Sequence, residues 1–543
     1  MTRAESAAAS PTGWIVHKFG GSSVADAECI LRVATIIEAE SGPRVAVVLS
    51  ACKGVTDGLL ELVALAEQRT NTHLERLASI RARHAGIAAT LLSADGAREY
   101  TATLEANCAD ISGILQTVGL IGAAAPNIRD LVAGYGEIWS TRLYARLLVE
   151  RARRPGAVRW VDAREAIIVE WGALGPAVQW PESEAALARQ LPASFEGTLV
   201  ITGFIASNRR GIQTTLGRNG SDFSASIFGA LLAAREIVIW TDVDGVLSAD
   251  PRRVPDAKVI DSLSYSEAME LAYFGAKVIH PQTMAPAIAR EIPILIKNSF
   301  AATKPGTLIC AKPRSALKVK GITTIDAVAL INLEGAGMIG VPGTAQRLFG
   351  ALRDAGISVI LISQGSSEHS ICFAIPDAEA LAAGEVVQRA FDSELREGQI
   401  QKVDVSRECA ILAVVGDGMA GSPGIAAKVF GALGDAAVNI RAIAQGASER
   451  NISVVIEARQ STRALRAVHA GFYLSPHTVS IGLIGPGLVG AALLDQLDSQ
   501  LQRLKDGANL DLRVRGILTS KRMLLADGEI DLDRWRTVWQ AGG

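Results

Sequence analysis

The stretch that decides the fold of the first half of the chain is Ile15-Val16-His17-Lys18-Phe19-Gly20-Gly21-Ser22-Ser23. Its first five residues have the apolar character of a buried strand, and two glycines follow at once. From Ala25 to Glu38 the apolar residues then recur at helical spacing. A strand, a tight turn and a helix in this order are typical of α/β proteins, in which strands alternate with helices.

The same stretch carries a candidate phosphate site. The ammonium of Lys18 precedes Gly20 and Gly21, whose missing side chains let backbone N–H groups approach an anion at a helix start. Ser22 adds a hydroxyl to this turn. A plain glycine turn beside a solvated lysine is the alternative, and this stretch alone does not separate the two.

Further strand and helix signals extend this domain to residue 311. We predict a layered αβα sandwich over residues 14–311, after a disordered tail at residues 1–13, with a largely helical stretch from Asp57 to about Glu150. The predicted strands lie at Val45 to Ser50, Val158 to Val161, Thr198 to Ile205 and Glu236 to Trp240.

Two loops of this domain combine charged residues with glycine. Gly217-Arg218-Asn219-Gly220-Ser221-Asp222 opens a predicted helix, and Arg218 there is suited to hold a carboxylate bidentately. Thr241 and Asp242 follow an apolar strand, at the end where α/β folds bind nucleotides. Each loop has an ordinary structural alternative, a helix N-cap in the first and an Asp-rich turn in the second.

After a linker at residues 312–315 the chain contains a duplication. Gly337-Met338 recurs as Gly418-Met419, an offset of 81 residues (418 minus 337), and many further matches keep this offset. Each copy has the pattern strand, Gly/Pro turn, helix, strand, polar turn, strand, which is typical of a ferredoxin-like α+β module. The period is too long for a solenoid, so residues 312–477 predict a pair of packed modules.

Residues 478–543 predict the opening of a dinucleotide-binding Rossmann fold. An apolar strand leads into Gly485-Pro486-Gly487-Leu488-Val489-Gly490 and then into a helix. After the next strand, Lys521 and Arg522 stand where an acidic residue would bind a ribose hydroxyl, which favours NADP. About 65 residues are few for such a domain, so we expect an incomplete fold without oxidoreductase turnover.

Composition and missing motifs exclude several function classes. The formal net charge of −2 provides no broad positive field for nucleic acid, and no run approaches about 20 apolar residues. We therefore expect a cytosolic protein with neither nucleic-acid nor membrane partners. The chain lacks both the phosphate loop of P-loop proteins and the His-Arg-Asp loop of protein kinases. Its six scattered cysteines predict reduced thiols and no protein-held metal.

Five motifs occur in the order found in the aspartate kinases of the amino-acid kinase family, which the chain therefore resembles. The two repeats look like ACT domains. With the dinucleotide motif, the resemblance extends from about Ile15 to the end and is to bifunctional aspartokinase/homoserine dehydrogenases. The five motifs are Lys18-Phe19-Gly20-Gly21-Ser22-Ser23, Gly136-Glu137, Gly217-Arg218-Asn219-Gly220-Ser221-Asp222, Thr241-Asp242-Val243-Asp244-Gly245 and Phe274-Gly275-Ala276-Lys277-Val278-Ile279-His280-Pro281.

The resemblance implies transfer of the γ-phosphoryl group of ATP, with Mg²⁺, to the side-chain carboxylate of aspartate. It assigns Lys18 and Asp222 to catalysis, with Lys18 stabilising charge on the phosphoryl group. A carboxylate of pKa about 3.9 is already ionised, so no general base is needed. The residues implied for aspartate binding are Ser50, Thr56, Glu137 and Arg218, and those for ATP binding are Lys18, Gly20, Gly21, Ser22, Thr241, Asp242, Arg252 and Lys277.

Gln364 and Gln445 occupy the same position of the two repeats, and an amide can both donate to and accept from an amino acid. The resemblance implies that they bind an inhibitor, threonine, and turn-capping glutamines are the alternative. It also implies NADP(H) for the dehydrogenase part. Exposed edges of such modules pair between chains, so we expect a homodimer or tetramer. The rival hypotheses are another amino-acid kinase, a catalytically silent amino-acid sensor and an active oxidoreductase.

Overall fold

A computed structural model describes most of the chain. The described residues are 13–40, 42–70, 72–152, 154, 156–172, 175–275, 280–315, 317–365, 368–473, 477–508 and 510–541. They fall into two compact units, of which the first comprises Met1–Val246, Val259–Ala272 and Lys277–Ser315 and the second comprises Leu247–Lys258, Tyr273–Ala276 and Ala316–Gly543. Of the predicted tail at residues 1–13, only Gly13 is described.

An eight-stranded sheet forms the centre of the first unit. Its strands are β1 (Ile15–Phe19), β2 (Arg44–Leu49), β3 (Val158–Val161), β6 (Gly197–Thr202), β9 (Glu236–Thr241), β10 (Ser262–Ser264), β11 (Ile294–Asn298) and β12 (Thr307–Cys310). They are ordered β10-β12-β11-β9-β1-β2-β6-β3, and every pair is parallel except β11 with β12. Two hairpins lie outside the sheet, β4 (Val169–Gly172) with β5 (Gly175–Val178) and β7 (Ile205–Ser207) with β8 (Gln213–Thr215).

The strand predicted at residues 198–205 is divided in the structure. It forms β6 and β7, because Phe204 between them has a left-handed backbone with φ of 66° that interrupts the extended chain. The strands predicted at residues 158–161 and 236–240 coincide with β3 and β9.

Nine α-helices lie among the described residues between 13 and 315. The predicted first helix begins at Ala27 because the Asp26 carboxylate caps it, accepting a hydrogen bond from the Cys29 N–H at 2.9 Å. The helices are α1 (Ala27–Glu38), α2 (Val55–Glu67), α3 (Thr72–Leu91), α4 (Ala94–Ile121), α5 (Pro126–Arg151), α6 (Trp180–Gln190), α7 (Gly220–Leu231), α8 (Tyr265–Tyr273) and α9 (Pro281–Ala289). The predicted helical stretch from residue 57 to 150 is thus α2 to α5, and together with the parallel sheet it confirms the α/β prediction.

The duplicated region forms one six-stranded antiparallel sheet in the second unit. The first repeat contributes β13 (Gly321–Glu334), α10 (Thr344–Asp354), β14 (Leu361–Gln364), β15 (Ser370–Pro376), α11 (Ala380–Ala390) and α12 (Asp392–Arg396). The second contributes β16 (Lys402–Val415), α13 (Ile425–Asp435), β17 (Ala442–Gln445), β18 (Asn451–Glu457) and α14 (Ser461–Tyr473). The strand order is β14-β15-β13-β16-β18-β17, and it confirms the prediction of two related α+β modules.

A three-stranded sheet ends the described chain. β19 (His477–Ile484) is followed by α15 (Leu488–Ala508), and β20 (Leu510–Leu518) returns parallel to β19. β21 (Met523–Leu525) then pairs antiparallel with β20, and α16 (Trp535–Gln540) follows. All six cysteines are free thiols. Among the described helices, none has the length and apolar character needed to cross a bilayer.

Candidate active site

The central strand β1 brings the predicted phosphate turn to the edge where three parallel strands end. β1 pairs with β2 on one side and with β9 on the other, so the loops after all three strands emerge together. The turn after β1 is bonded to the turn after β2, because the Lys53 N–H donates to the Gly21 carbonyl at 3.1 Å. A Cβ at Gly21 would lie 3.0 Å from the Ala51 carbonyl oxygen, so this approach of two turns requires a glycine.

Lys18 and Asp222 form a buried ion pair at this edge. The Lys18 Nζ lies 2.7 Å from an Asp222 carboxylate oxygen, and the two side chains are only 10% and 12% exposed. Asp222 lies in the first turn of α7, which follows Asn219 in the left-handed conformation with φ of 56°. Nζ also lies close to Gly20, where an added Cβ would be 3.4 Å from it. The ammonium therefore lies between a glycine turn and a helix N-terminus, both of which favour anions.

Glu137 is buried in the middle of α5, beside the turn after β2. Gly136 permits this packing, since a Cβ there would be 2.7 Å from the Ala51 Cβ. One oxygen of Glu137, Oε1, accepts the Ala51 N–H at 3.1 Å, and Oε2 has no hydrogen-bond partner among the described residues. Burial raises the pKa of the Glu137 carboxyl to about 8, and the Ala51 N–H opposes part of that rise. A cationic ligand group near Oε2 would satisfy the oxygen and restore the charged form.

The other three predicted aspartate-binding residues lie in the loops and first helical turns after β2 and before α7. Ser50 follows β2 and its hydroxyl donates to the Ser221 hydroxyl at 2.8 Å, which joins the β2 end to the start of α7. Thr56 is half-buried in the first turn of α2, and Arg218 is exposed in the loop before α7. Neither Thr56 nor Arg218 makes a side-chain hydrogen bond to any other described residue, and their substrate contacts stay predictions.

The predicted ATP residues divide between described and undescribed parts of the chain. Thr241 ends β9, and its hydroxyl donates to the Asp242 carboxylate at 3.2 Å. Arg252 belongs to the second unit, where it pairs with Asp250 at 2.8 Å. Lys277 lies outside the described residues.

Sequence reasoning missed a polar cluster beside Thr241. Asp244 accepts a hydrogen bond from the Asn298 amide at 2.7 Å and forms an ion pair with Lys304, and both interactions lower the pKa of its carboxyl. The Ser299 N–H donates to the Thr241 carbonyl at 2.9 Å. The missed signal was the apolar run before Asn298, which forms β11 next to β9. In the described chain, no three His, Cys, Asp or Glu side chains are grouped so as to hold a metal ion.

The two predicted effector glutamines lie on exposed edge strands. Gln364 ends β14 and Gln445 ends β17, and both are exposed. Glu368 and Glu449, each four residues after one of the glutamines, both accept an N–H from the Gly/Pro turn of their own repeat, at 2.8 and 2.7 Å. Both glutamates have left-handed backbones, with φ of 53° and 54°. The duplication therefore extends to individual hydrogen bonds.

The glycine motif after β19 forms a tight strand-to-helix turn. Gly485 has φ of 94°, and a Cβ at Gly490 would lie 2.3 Å from the Gly485 carbonyl oxygen, so both positions require glycine. Gly487 lies between them, immediately before α15. Lys521 and Arg522 are exposed in the turn after β20.

Comparison with known proteins identifies the family. The model of the amino acid kinase family matches residues 13–298, and the ACT domain model matches residues 331–391 and 412–472. The chain is 44% identical over 538 residues to bifunctional aspartokinase/homoserine dehydrogenase 2, chloroplastic, of Arabidopsis thaliana, covering 98% of this chain and 58% of that relative. It is 32% identical over 463 residues to lysine-sensitive aspartokinase 3 of Escherichia coli, covering 84% of this chain and 99% of that enzyme.

A solved structure gives the same result. The crystal structure of E. coli aspartokinase III in complex with aspartate and ADP matches with a TM-score of 0.68 and 30% identity, covering 84% of this chain and 99% of that one. The chain spans 58% of the length of its bifunctional Arabidopsis relative. The fold, the duplicated ACT modules and these matches together show that the chain belongs to the amino acid kinase family and, within it, to the aspartokinases.

Proposed function

We propose that the chain transfers the γ-phosphoryl group of MgATP to the side-chain carboxylate of L-aspartate, giving 4-phospho-L-aspartate. The observation that carries this proposal is the buried Lys18–Asp222 pair, 2.7 Å apart, at the edge where the glycine turn meets the start of α7. The aspartate and ADP bound to the E. coli relative support the choice of substrates.

Charge neutralisation is the main task of such a site. Phosphoryl transfer passes through a loose transition state in which negative charge is spread over the phosphoryl oxygens. Lys18 supplies a fixed positive charge for these oxygens, and Asp222 holds the ammonium in place. Because the attacking carboxylate is already ionised near neutral pH, the site has no need of a general base.

The aspartate substrate would bind beside Glu137. Oε2 of Glu137, which has no hydrogen-bond partner in the described part of the chain, is suited to the substrate ammonium, and Arg218 is suited to the α-carboxylate. Ser50 and Thr56 complete the pocket with hydroxyls. On the other side of β1, Thr241 and Asp242 would contact the nucleotide together with Gly20, Gly21 and Ser22, and we assign Lys277 to the same task by family resemblance. Asp244, in the same loop as Thr241, forms an ion pair with Lys304 that would help to order this loop.

The test is ADP release by the chain with L-aspartate, L-glutamate or N-acetylglutamate as acceptor. Of the three acceptors, we expect only L-aspartate to support turnover. In Lys18→Ala we expect kcat to fall by about 10²-fold or more, the usual effect of losing one group that stabilises charge in the transition state. Lys428→Ala, at an exposed lysine of the second repeat, is the matched control and keeps wild-type turnover. Because Lys18→Ala leaves Asp222 buried without its partner, Lys18→Gln/Asp222→Asn is tested beside it for thermal unfolding.

Other outcomes of this assay are decisive as well. Turnover with glutamate or acetylglutamate would favour a different amino-acid kinase. A chain that binds aspartate but releases no ADP with any of the three acceptors would favour a catalytically silent sensor. Wild-type turnover in Lys18→Ala would contradict the proposed charge stabilisation.

We also propose feedback inhibition by threonine through Gln364 and Gln445. The equivalent placement of the two glutamines, each followed four residues later by a glutamate that accepts an N–H from the Gly/Pro turn, supports paired effector sites. The E. coli relative is named lysine-sensitive, so lysine is the competing effector. We expect threonine to inhibit the wild type and to lose its effect in Gln364→Ala/Gln445→Ala, and inhibition by lysine alone would contradict the choice of threonine.

For a protein with the full length of the bifunctional relatives, we propose in addition the NADP-dependent interconversion of aspartate semialdehyde and homoserine. The glycine turn at Gly485, Gly487 and Gly490 would hold the pyrophosphate, and Lys521 and Arg522 the 2′-phosphate of NADP. The expected result is that residues 478–543 bind NADP more tightly than NAD, and that this preference is lost in Lys521→Ala/Arg522→Ala.

We further propose that the chain forms a cytosolic homo-oligomer.

A further inference from the structure

The two repeats form a curled sheet whose helix-free face has two equivalent ends. β13 and β16 pair at its centre, where Asn332 faces Asp404 and Thr323 faces Ala413. The edge strands β14 and β17 also come together, because the Ser363 hydroxyl donates to a β17 main-chain carbonyl at 2.8 Å. A residue of the first repeat and the residue 81 positions later therefore occupy equivalent places at opposite ends.

Residues 273–275 close one of these ends. Phe274 is 6% exposed and packs in one cluster with Ala413. Its carbonyl accepts a hydrogen bond from the Thr323 hydroxyl at 2.8 Å, and the Tyr273 hydroxyl donates to the Ile360 carbonyl at 3.3 Å. An aromatic side chain thus fills an apolar opening in the second unit.

The equivalent end is an open cavity. Its volume is about 450 Å³, which lies in the range of small-molecule sites. The lining includes Asn332, Cys372, Asp404, Ser406 and Arg441.

The two ends differ most in polarity. Three apolar positions at the closed end have polar equivalents around the open cavity. The pairs are Ile325 and Ser406, Ile360 and Arg441, and Ala413 and Asn332. Burying these polar groups behind an apolar plug would be costly, so the open end is suited to an occupant that forms hydrogen bonds.

Arg441 determines the charge of that occupant. Among the described residues no carboxylate lies within ion-pair distance of its guanidinium, which meets the Cys409 sulfur at 3.5 Å. Asp404 is already paired with Lys402 at 2.6 Å. We propose that this cavity is a binding site for a small carboxylic acid of amino-acid size, with the carboxylate held by the fork of Arg441 and the remaining polar groups directed to Asn332 and Asp404.

This cavity is separate from the positions of the two effector glutamines. Side chains alternate along a strand, so Ser363 faces the cavity while Gln364 points to the opposite face of β14. The same alternation directs Gln445 away from the helix-free face of β17. The proposal therefore does not depend on the proposed threonine sites or on kinase activity.

Cys372 offers a local readout of occupancy. Cys372 lines the cavity, and burial raises the pKa of its thiol to about 11, so alkylation is slow enough to follow by peptide mass spectrometry. Cys310, in the first unit, is the internal reference. The probes are L-threonine, L-aspartate and succinate, tested one at a time on the whole chain. We expect at least one probe to slow alkylation of Cys372 severalfold without slowing that of Cys310.

Variants separate the cavity from other sites. Arg441→Ile, which copies the residue type at the equivalent closed position, should abolish the protection, and Arg441→Lys should weaken it while keeping the charge. Arg459→Ile, at an exposed arginine of the same repeat, and Gln364→Ala/Gln445→Ala should retain it. The proposal is overturned if no probe protects Cys372, if protection persists in Arg441→Ile, or if it is lost in the glutamine variant. Protection by succinate as well as the amino acids would show that the carboxylate suffices, and protection by amino acids alone would show that the ammonium contributes through Asp404.

Discussion

Replacing Glu137 by glutamine tests the most unusual titration in the candidate active site. Burial raises the pKa of this carboxyl from its ordinary 4.5 to about 8. Between pH 4.5 and about pH 8 the folded protein therefore holds a proton that the unfolded chain has lost. Over this range the free energy of unfolding falls as pH rises. At about 1.4 kcal/mol for each pH unit, the loss reaches roughly 5 kcal/mol above pH 8. Glutamine keeps the carbonyl that accepts the Ala51 N–H and does not titrate.

The assay is chemical unfolding of the wild type and Glu137→Gln from about pH 5 to about pH 9. We expect the variant to gain stability relative to the wild type as pH rises, by several kcal/mol. Glu105→Gln, at an exposed glutamate of α4, is the matched control and should show no such trend. A difference between wild type and Glu137→Gln that does not change with pH would refute the reasoning.

The same protonation has a functional consequence. If the ammonium of aspartate binds at Oε2, it restores the carboxylate and releases close to one proton near neutral pH, as follows from a pKa of about 8. Calorimetric titration of aspartate in buffers of different ionisation enthalpy measures this proton. Glu137→Gln should lose both the proton release and most of the aspartate affinity.

Three further predictions concern the fold around these sites. Gly21→Ala should lower kcat/KM and stability because the new Cβ meets a main-chain oxygen at 3.0 Å, whereas Gly113→Ala, in open space on α4, should stabilise by up to about 1 kcal/mol in thermal unfolding. Asp256→Asn should lower the free energy of unfolding by about 1.5 kcal/mol, because Arg513, only 6% exposed, loses one of its two carboxylate partners and keeps Asp511; an unchanged value in urea denaturation would contradict the importance of this pair. Burial lowers the pKa of His84 to about 4, so its unfolded form takes up a proton first as pH falls; the wild type should lose about 2 kcal/mol relative to His84→Gln between pH 7 and pH 5, and parallel pH curves would disprove this.

Local sequence patterns were sufficient for the positions of many elements. The glycine turn at Gly20 and Gly21 could be predicted because a buried strand and a helix start flank it within a few residues. The duplication could be detected because both copies keep the same order of turn and apolar residues. By contrast, the break of the predicted strand at Phe204 depends on a single left-handed residue, which no periodicity signals.

Contacts across long sequence distances could not be predicted in this way. The pairing of Lys18 with Asp222 and the hydrogen bond from Asn298 to Asp244 join residues on separate strands and helices. The placement of Phe274 against the sheet of the second repeat likewise joins distant parts of the chain. Such contacts depend on how strands are ordered in a sheet, which the spacing of apolar residues does not contain.

The sequence by itself determined which residue types this protein has for its chemistry, the class of its modules and their duplication, because these follow from local spacing and composition. Only the tertiary structure decided the protonation of Glu137, the burial of the Lys18 ion pair and the difference between the two ends of the duplicated sheet. The physical reason is that desolvation and packing are set by neighbours that the chain brings together from far apart, and the two related repeats meet different neighbours at the two ends of the sheet.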